Sequence, residues 1–282
     1  MRSMEATPKM NKLRRQLSSF GCWAAALVWL GPYLWMVVLA LKPNNLEFAS
    51  AGRVLVGTYT LGNFGAAWSY APFGRFLLNS FGVAATGTVL TVAVAVLAGY
   101  GFARMPSRAL HRGFRLLVAT LFIPQVVIVV PLFVEMRALG WVNTYESLIV
   151  PFCFGAIGVF LMRQGFASIP RELEEAAFVD GASRWRVFRR IMVPQVTSFA
   201  VLVGIFSFLF YWNNFLWPLV VISSSGRSTV PLGLDLFLGE HGGQWNLLMA
   251  ATIFTMLPGI MVVVTFQRWI VRGFGASGFG GR

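Results

Sequence analysis

The residue types that perform catalysis or hold metals are scarce in this chain and form no recognisable site. The two histidines, His111 and His241, have no carboxylate or cysteine at ligand spacing. No Ser/His/Asp or Cys/His arrangement indicates a nucleophile. A phosphate-binding loop needs a lysine directly after a glycine, and none of the three lysines follows one. We therefore predict no catalytic residue, no metal site and no cofactor bound by this chain.

Five side chains with polar groups interrupt long apolar stretches: Gln125, Tyr211, Asn213, Asn214 and Trp217. Amides and hydroxyls beside aromatic faces are suited to bind sugars, so these residues are candidates for lining a substrate pathway. Amides in an apolar setting also form hydrogen bonds between packed helices. Gln125 has a further use, because it stands between Pro124 and Pro131, where a bent helix leaves carbonyls in need of donors. The sequence leaves these uses open.

One long connecting segment, 163–197, has the pattern of two short helices. Pro170 suits a first helical turn, and the acidic residues that follow it lie near the positive end of the helix dipole. Gly181 is free to adopt the positive φ of a turn. Ser183 suits the N-cap of a second helix, which Pro194 would close before the next apolar run.

Each of these two helices has an apolar side and a charged side. Residues 176–178 form a flat apolar patch on the first, and Trp185, Phe188 and Ile191 share one side of the second, while four arginines take its other faces. Such a pair docks on a protein partner or lies among lipid headgroups. The acidic run at 172–175 favours a protein partner, because anionic headgroups would repel it.

The elements that carry these residues are too apolar for a soluble protein. Nonpolar and aromatic residues make up 57% of the chain, charged residues 12%, and the mean hydropathy is +0.69. A helix of about 20 apolar residues crosses the hydrocarbon layer of a bilayer, whereas barrel strands would alternate apolar and polar residues. The windows that qualify are 20–41, 77–102, 116–134, 148–162, 199–222 and 247–266. We predict an all-α, polytopic integral membrane protein with six transmembrane helices.

The first window follows several basic residues, as the apolar region of a signal peptide would. It runs for 22 residues, however, and a signal peptide's apolar region has about 7–15. We therefore expect a retained span. The predicted organisation is an N-terminal arm, a first helix, an external loop, a domain of five helices and a tail: 1–19, 20–41, 42–74, 75–267 and 268–282.

Basic residues are divided unequally between the two sets of segments that connect the windows. The N-terminal arm, the 103–115 and 163–197 loops and the tail hold 18 of the 23 lysines and arginines, whereas the acidic residues divide equally. Because basic residues concentrate on the cytoplasmic side, both termini are expected there. The net charge of +13 is therefore topological, with phospholipid headgroups as counter-charges. Without an arginine-rich tract or an aromatic platform, it does not indicate a nucleic-acid partner.

The 163–197 segment resembles the EAA loop of ABC importer permeases. It reads Glu175-Ala176-Ala177, three residues, Gly181, nine residues, then Ile191-Met192-Val193-Pro194, with valine where that family usually has leucine. Other stretches are similar to the second, shorter permease of maltose-type carbohydrate importers: FLLNS at 76–80, IPQVVIVVPLF at 123–133, LGWVNT at 139–144, WNNFLWPL at 212–219 and FQRWIVRG at 266–273. The tail differs, since GASGFGGR replaces a family ending that carries a lysine.

The resemblance implies a type I ABC importer fold in a prokaryotic plasma membrane, with this loop as a cytoplasmic coupling helix-turn-helix. The implied partners are a companion permease, a dimer of ATPase subunits that binds ATP and Mg²⁺, an external substrate-binding protein and the lipid bilayer. The residues expected to couple to the ATPase are Glu175, Ala176, Ala177, Gly181, Arg184, Trp185, Ile191 and Pro194.

The function expected from this resemblance is a transport subunit, not itself an enzyme, that forms the pathway for a carbohydrate. One alternative is import of another solute, such as a polyol, glycerol phosphate or an oligopeptide. The other is a facilitator or channel that works without an ATPase. The apolar windows lack the charged residues that an ion-coupled carrier would use.

Overall fold

Helices are the only regular secondary structure in the part of the chain that the structure, a computed structural model, describes: residues 8–43, 54–105, 107–239 and 244–278. The all-α prediction is confirmed. In chain order the helices are α1 Pro8–Ala40, α2 Gly62–Tyr70, α3 Phe73–Arg104, α4 Arg108–Ala119, α5 Gln125–Ala138, α6 Tyr145–Ile149, α7 Ala156–Ala167, α8 Arg171–Val179, α9 Arg184–Val187, α10 Val193–Gln195, α11 Thr197–Asn213, α12 Leu216–Val221, α13 Val230–Gly239 and α14 Trp245–Gly278. Short 3-10 turns lie at Thr120–Phe122, Val150–Phe152 and Ser225–Arg227, and a π-helical turn at Phe188–Met192 joins α9 to α10.

Three helical stretches are long and apolar enough to cross a membrane: Ser19–Ala40, Phe73–Arg104 and Trp245–Trp269. Three bent pairs pass the same test, which gives up to six spans in the described residues if each pair counts as one. The pairs are Arg108–Phe122 with Gln125–Ala138, Tyr145–Phe152 with Ala156–Ala167, and Arg184–Gln195 with Thr197–Asn213, bent by 109°, 42° and 72°. Each predicted window overlaps one of these helices or pairs.

Three predicted windows are not continuous helices. The window 148–162 passes through the 3-10 turn at Val150–Phe152 and breaks before α7 begins at Ala156. The window 116–134 breaks at Ile123, which is extended because the residue before a proline disfavours the helical conformation. The window 199–222 breaks after Asn213, and α12 forms a separate short helix. The first helix also begins earlier than predicted, at Pro8, inside the expected N-terminal arm.

The chain divides into two compact units. The smaller comprises Met1–Tyr70 and Phe237–Phe254, and the larger Ala71–Leu236 and Thr255–Arg282. In the smaller unit, Asn63 Nδ2 donates to the carbonyls of Ala40 and Lys42 at 2.8 and 2.6 Å. The last carbonyls of a helix have no partner within the helix, so this amide fixes the end of α1.

The larger unit is built on close contacts of α3 with α7 and α11. A Cβ at Gly99 of α3 would lie 2.6 Å from Met162 Cβ and 2.9 Å from the Arg163 backbone nitrogen on α7. A Cβ at Gly87 would lie 2.5 Å from the Tyr211 ring of α11. Small residues at these points let the helix backbones approach closely, as is common in membrane bundles.

Two asparagines of the larger unit hold the loop between α12 and α13. Asn143 has a positive φ of 61° and its Oδ1 accepts from the backbone nitrogens of Ser223 and Ser224 at 3.2 and 3.1 Å. Asn79 Nδ2 donates to the carbonyls of Gly226 and Ser228 at 3.1 and 2.9 Å. The stretches FLLNS and LGWVNT therefore meet at the 222–229 loop. We call Asn79 and Asn143, which hold this loop, the asparagine clamp.

Candidate coupling site and polar cavities

A tight turn after α8 sets the geometry of the 163–197 segment. Gly181 has a φ of +76°, as predicted for this residue. Its backbone nitrogen donates to Phe178 O, and that of Ala182 donates to Ala177 O, both at 3.0 Å. These two bonds form a Schellman motif, which ends α8 and reverses the chain. No atom comes within 4 Å of a Cβ placed at Gly181, so only its backbone conformation demands glycine.

The α8 helix turns one face inward and one outward. Glu174 and Ala177, three residues apart, are buried at 8% and 9% exposure. Glu175 and Ala176 are exposed. Of the predicted alanine pair, only Ala176 is therefore open to a partner, because Ala177 packs in a cluster with Phe166, Phe188 and other apolar residues of this chain.

The second part of the segment also has two faces. Ser183 Oγ accepts from Arg186 N at 3.4 Å, which confirms the predicted N-cap. Trp185 is 62% exposed, and its ring lies 5.3 Å from that of the buried Phe188. Ile191 is half-buried and Arg184 is exposed. The three apolar residues predicted to share one side thus differ in exposure: Trp185 is exposed, Ile191 is half-buried and Phe188 is buried.

Pro194 does not close the second helix where the sequence predicted. It lies inside α10, and the break before α11 falls at Val196, whose φ and ψ are −100° and 13°. Pro194 has no N–H to bond back into the preceding turn. That turn is π-helical, with Val193 N–H bonded to Phe188 O five residues earlier.

A buried polar network ties α8 to the end of α3. Arg104 Nε lies 3.4 Å from Glu174 Oε2, and the Tyr100 hydroxyl donates to Glu174 Oε1 at 3.1 Å. Arg104 also donates to the carbonyl of Phe166 in α7 and to that of Ile169, which lies between α7 and α8. We call Tyr100, Arg104 and Glu174 the Tyr–Arg–Glu network. The sequence pattern did not single it out, because Glu174 is one of three similar glutamates and its partners lie about seventy residues away.

The pathway candidates lie in different surroundings. Tyr211 is buried, and its hydroxyl donates to Ile149 O at 3.1 Å and lies 3.4 Å from Thr91 Oγ1. Trp217 is 1% exposed and donates from Nε1 to Ser147 O at 2.8 Å. Gln125 is half-buried at the first position of α5. Tyr211 and Trp217 thus each donate to a carbonyl of α6, the kind of bond between helices that the sequence left open for the amides.

The two neighbouring asparagines differ in the same way. Asn214 Oδ1 accepts from Trp217 N at 3.3 Å, so its side chain holds the first turn of α12. Asn213 is exposed at the end of α11. Helix α11 ends at Asn213, and Asn214 is extended. The two side chains therefore point into different surroundings.

Two cavities of the larger unit adjoin these residues. One, of about 480 Å³, is lined by Thr91, Thr120, Ser207, Tyr211 and apolar residues. The other, of about 440 Å³, is lined by Trp212, Asn213, Thr255 and apolar residues. Tyr211 and Asn213 therefore line separate cavities, and neither cavity includes Gln125, Asn214 or Trp217 among its walls. Trp212, which donates to Thr255 O at 2.9 Å, was missed by the sequence reasoning, although it directly precedes Asn213.

Groups of three or more histidine, cysteine or carboxylate side chains that could hold a metal are absent from the residues described. His111 Nδ1 lies 3.1 Å from Ser107 O within its own helix. His241 lies outside the described residues.

Residues 92–275 match the family described as the binding-protein-dependent transport system inner membrane component. The chain belongs to this family. Among similar proteins is the lactose transport system permease protein LacG of Rhizobium radiobacter, 31% identical over 94% of this chain and 97% of its own. The arabinooligosaccharides transport system permease protein AraQ of Halalkalibacterium halodurans is 31% identical, over 97% and 99%. The sn-glycerol-3-phosphate transport system permease protein UgpE of Pectobacterium atrosepticum is 34% identical, over 84% and 87%.

Solved structures show that the inner membrane component has the fold of ABC importers. A chain from a bacterial ABC transporter involved in the import of the acidic polysaccharide alginate matches with a TM-score of 0.79 and 17% identity, over 94% of this chain and 99% of its own. A chain from the MetNI methionine ABC transporter, in an inward-facing conformation, matches with a TM-score of 0.52 and 16% identity, over 71% and 94%. The predicted family and fold are confirmed.

Proposed function

We propose that this inner membrane component forms part of the pathway of an ATP-driven importer for a sugar or a sugar-like solute. The observation that carries the proposal is the outward face of the 163–197 segment. Glu175, Ala176 and Trp185 are exposed on either side of a fixed turn. Charged residues around an exposed tryptophan, on a rigid scaffold, are typical of a protein-docking surface.

The partner of this surface is an ATPase subunit. This chain lacks a phosphate-binding loop, so the energy for transport comes from outside it. Glu175 pairs with a cation of the ATPase, Ala176 permits close approach, and Trp185 with Arg184 extends the contact. Ile191, which is half-buried, holds the segment behind this face, and the exposed Pro194 lies at its end. The full assembly contains a companion permease, two ATPases that bind ATP and Mg²⁺, and an external binding protein.

The solutes in the relatives' names indicate a chemical class for the solute of this chain. The names contain lactose, arabinooligosaccharides and sn-glycerol 3-phosphate, all rich in hydroxyl groups. Asn213 beside Trp212, in the 440 Å³ cavity, offers an amide next to an aromatic face, the pairing that suits such a solute. We assign Asn213 to the pathway, and Asn214, Trp217 and Tyr211 to holding the helices around it.

Copurification tests the docking surface. A tagged chain is expressed in its native membrane with the other subunits, and the ATPase that copurifies is quantified. We expect Glu175→Lys to lower the recovered ATPase several-fold, since it places a cation against a cation in a partly desolvated interface. Glu135→Lys, the same charge change at an exposed residue of α5 outside the 163–197 segment, is the control. Equal recovery from the unaltered chain and Glu175→Lys contradicts the proposal.

Uptake into vesicles that contain the whole complex tests the solute class. Radiolabelled lactose, an arabinooligosaccharide and sn-glycerol 3-phosphate are the probes. We expect ATP-dependent uptake of at least one of them, and loss of that uptake in Asn213→Ala without loss of ATPase copurification. ATP-independent uptake of the same probes would instead favour a facilitator.

A further inference from the structure

We propose that the Tyr–Arg–Glu network makes α8 and the end of α3 one rigid body. A displacement of the 163–197 segment, which we call the coupling segment, is then passed directly to a membrane helix. This inference rests on the proposed function, because it names the residues that transmit the movement of the docking surface. It also separates two adjacent glutamates, with Glu175 facing the partner and Glu174 holding α8 to the chain itself.

Burial shows that the network is an internal joint. The Arg104 and Glu174 side chains are only 6% and 11% exposed. A buried ion pair requires further hydrogen bonds to offset the loss of hydration, and both partners have them. Glu174 accepts from Tyr100 as well as facing Arg104, while Arg104 donates to Phe166 O and Ile169 O.

The network reaches every part of the coupling segment. Arg104 bonds to the end of α7 and the residues just after it. The Tyr100 ring lies 5.4 Å from the Phe166 ring and 4.9 Å from the Phe188 ring, in the second part of the segment. One end of α3 therefore contacts the residues before α8, α8 itself and the π-helical turn after it.

The alternative is that α8 is held only by apolar packing and turns independently of α3. Apolar contacts have no fixed direction, so α8 could then slide over α3 as the ATPase moves. The Glu174 carboxylate accepts from Tyr100 through one oxygen and lies 3.4 Å from Arg104 Nε through the other, so sliding α8 over α3 would separate two buried opposite charges. The network thus makes the rigid arrangement the favoured one.

Spin labels measure this rigidity directly. Native Cys22 and Cys153 are replaced by alanine, and labels are attached at Leu97→Cys on α3 and Leu173→Cys on α8, whose native side chains are 56% and 41% exposed. The distance between the labels is measured in the purified complex, without nucleotide and with MgATP and vanadate. We expect one narrow distribution that shifts by less than about 2 Å, the scale of small helix adjustments.

Substitutions then test the assigned residues. We expect Glu174→Ala to broaden the label distribution and to lower ATP-dependent uptake about two- to thirty-fold, the range that residues of coupling networks give. Tyr100→Phe, which removes one hydroxyl and keeps the ring, gives a smaller effect in the same direction. Glu172→Ala, on the exposed face of α8, leaves the distribution unchanged. All variants are compared for thermal stability in detergent, so that a folding defect is recognised.

Three results would overturn the inference. The first is a label distance that changes by several ångströms with nucleotide in the otherwise unaltered chain, because α8 then moves against α3. The second is a distribution that stays narrow in both Glu174→Ala and Tyr100→Phe. The third is loss of the ATPase from Glu174→Ala at unchanged stability and label distance, which would place Glu174 at the interface. Failure of the proposed function would show differently, as absence of copurifying ATPase from the unaltered chain.

Discussion

Glu174 and Glu175 are neighbours of the same chemistry with opposite environments. Glu174 lies in a buried network with Arg104 and Tyr100, and Glu175 is exposed on the other face of α8. Ala176 and Ala177 differ in the same way, one exposed and one buried. The role of each of these residues therefore depends on which face of α8, a helix of nine residues, it lies on.

Backbone strain at Gly181 gives the first residue-scale prediction. Asparagine tolerates a positive φ, whereas a β-branched side chain does not. We expect Gly181→Asn to keep thermal stability and ATPase copurification near those of the unaltered chain, and Gly181→Val to lose about 1–3 kcal/mol of stability in the segment, with a large drop in copurification.

The same pair of variants separates strain from contact with the partner. A Cβ at Gly181 has no atom of the described residues within 4 Å. If Gly181→Asn lost the ATPase as completely as Gly181→Val while both kept their stability, the side chain would be clashing with the partner, and the turn would not be the cause.

Close approach at Gly99 gives a second prediction. Gly99→Ala places a methyl group 2.6 Å from Met162 Cβ, so α3 and α7 must separate, at a cost of about 1–3 kcal/mol. Gly101→Ala is the matched control in the same helix, since nothing lies within 4 Å of its Cβ. Thermal unfolding in detergent is expected to place Gly99→Ala below the unaltered chain and Gly101→Ala at or above it. The reverse order would contradict the packing described.

At the scale of the elements, the loop between α12 and α13 is held by hydrogen bonds from side chains of distant residues. The asparagine clamp fixes the 222–229 loop by side-chain bonds from residues far away in sequence. Two further bonds reinforce it: Tyr145 donates to Asn79 Oδ1 at 2.8 Å, and Val230 N donates to Ser80 Oγ at 2.7 Å. The loop is thus held in place although it has no helix or strand longer than one 3-10 turn.

Asn143 tests the clamp. Asn143→Gly keeps the positive φ but removes the carbonyl oxygen that accepts three donors of Ser223 and Ser224. We expect the loop to open, with faster amide hydrogen exchange at residues 222–229 and a loss of about 1–3 kcal/mol, the cost of unpaired polar groups. Asn143→Asp keeps an acceptor and is expected to exchange more slowly than Asn143→Gly. Equal exchange rates in the unaltered chain and Asn143→Gly would show that the clamp is dispensable.

The sequence predicted those features of the fold that depend on residues close together in the chain. The turn at Gly181 and the Ser183 cap depend on residues within one or two turns, and the structure has both. The apolar windows depend on composition along a continuous stretch, and each overlaps a candidate span or bent pair. The inward direction of Glu174 depends on Arg104, and the burial of Trp217 on Ser147. Those contacts join residues about seventy positions apart, which no periodicity reveals. The split of Asn213 from Asn214 depends on where α11 ends, and helix ends are poorly specified by sequence.

At the scale of the whole molecule, the unequal division of basic residues predicts the orientation. We expect reporter domains fused after Arg163 or Arg282 to read as cytoplasmic, and those fused after Asn45 or Ser224 as external. Paired alkaline phosphatase and fluorescent-protein fusions provide the measurement. An external reading at Arg282 would contradict the predicted orientation, and an external reading at Arg163 as well would place the 163–197 segment on the side that lacks ATP.

The sharp bend before α5 has a consequence for how the cell maintains this protein. If Arg108–Phe122 and Gln125–Ala138 cross the bilayer as one span, their 109° break leaves backbone groups without helical partners among lipid-soluble side chains. Hydrocarbon cannot satisfy such groups, so they have to be covered by protein or to face a water-filled cavity. Phe122 and Ile123, exposed at 84% and 51%, mark the side that has to be covered. If the companion permease that we propose covers this side, a copy made without it would be a target for membrane proteolysis, and the cell would hold this subunit only in proportion to that partner.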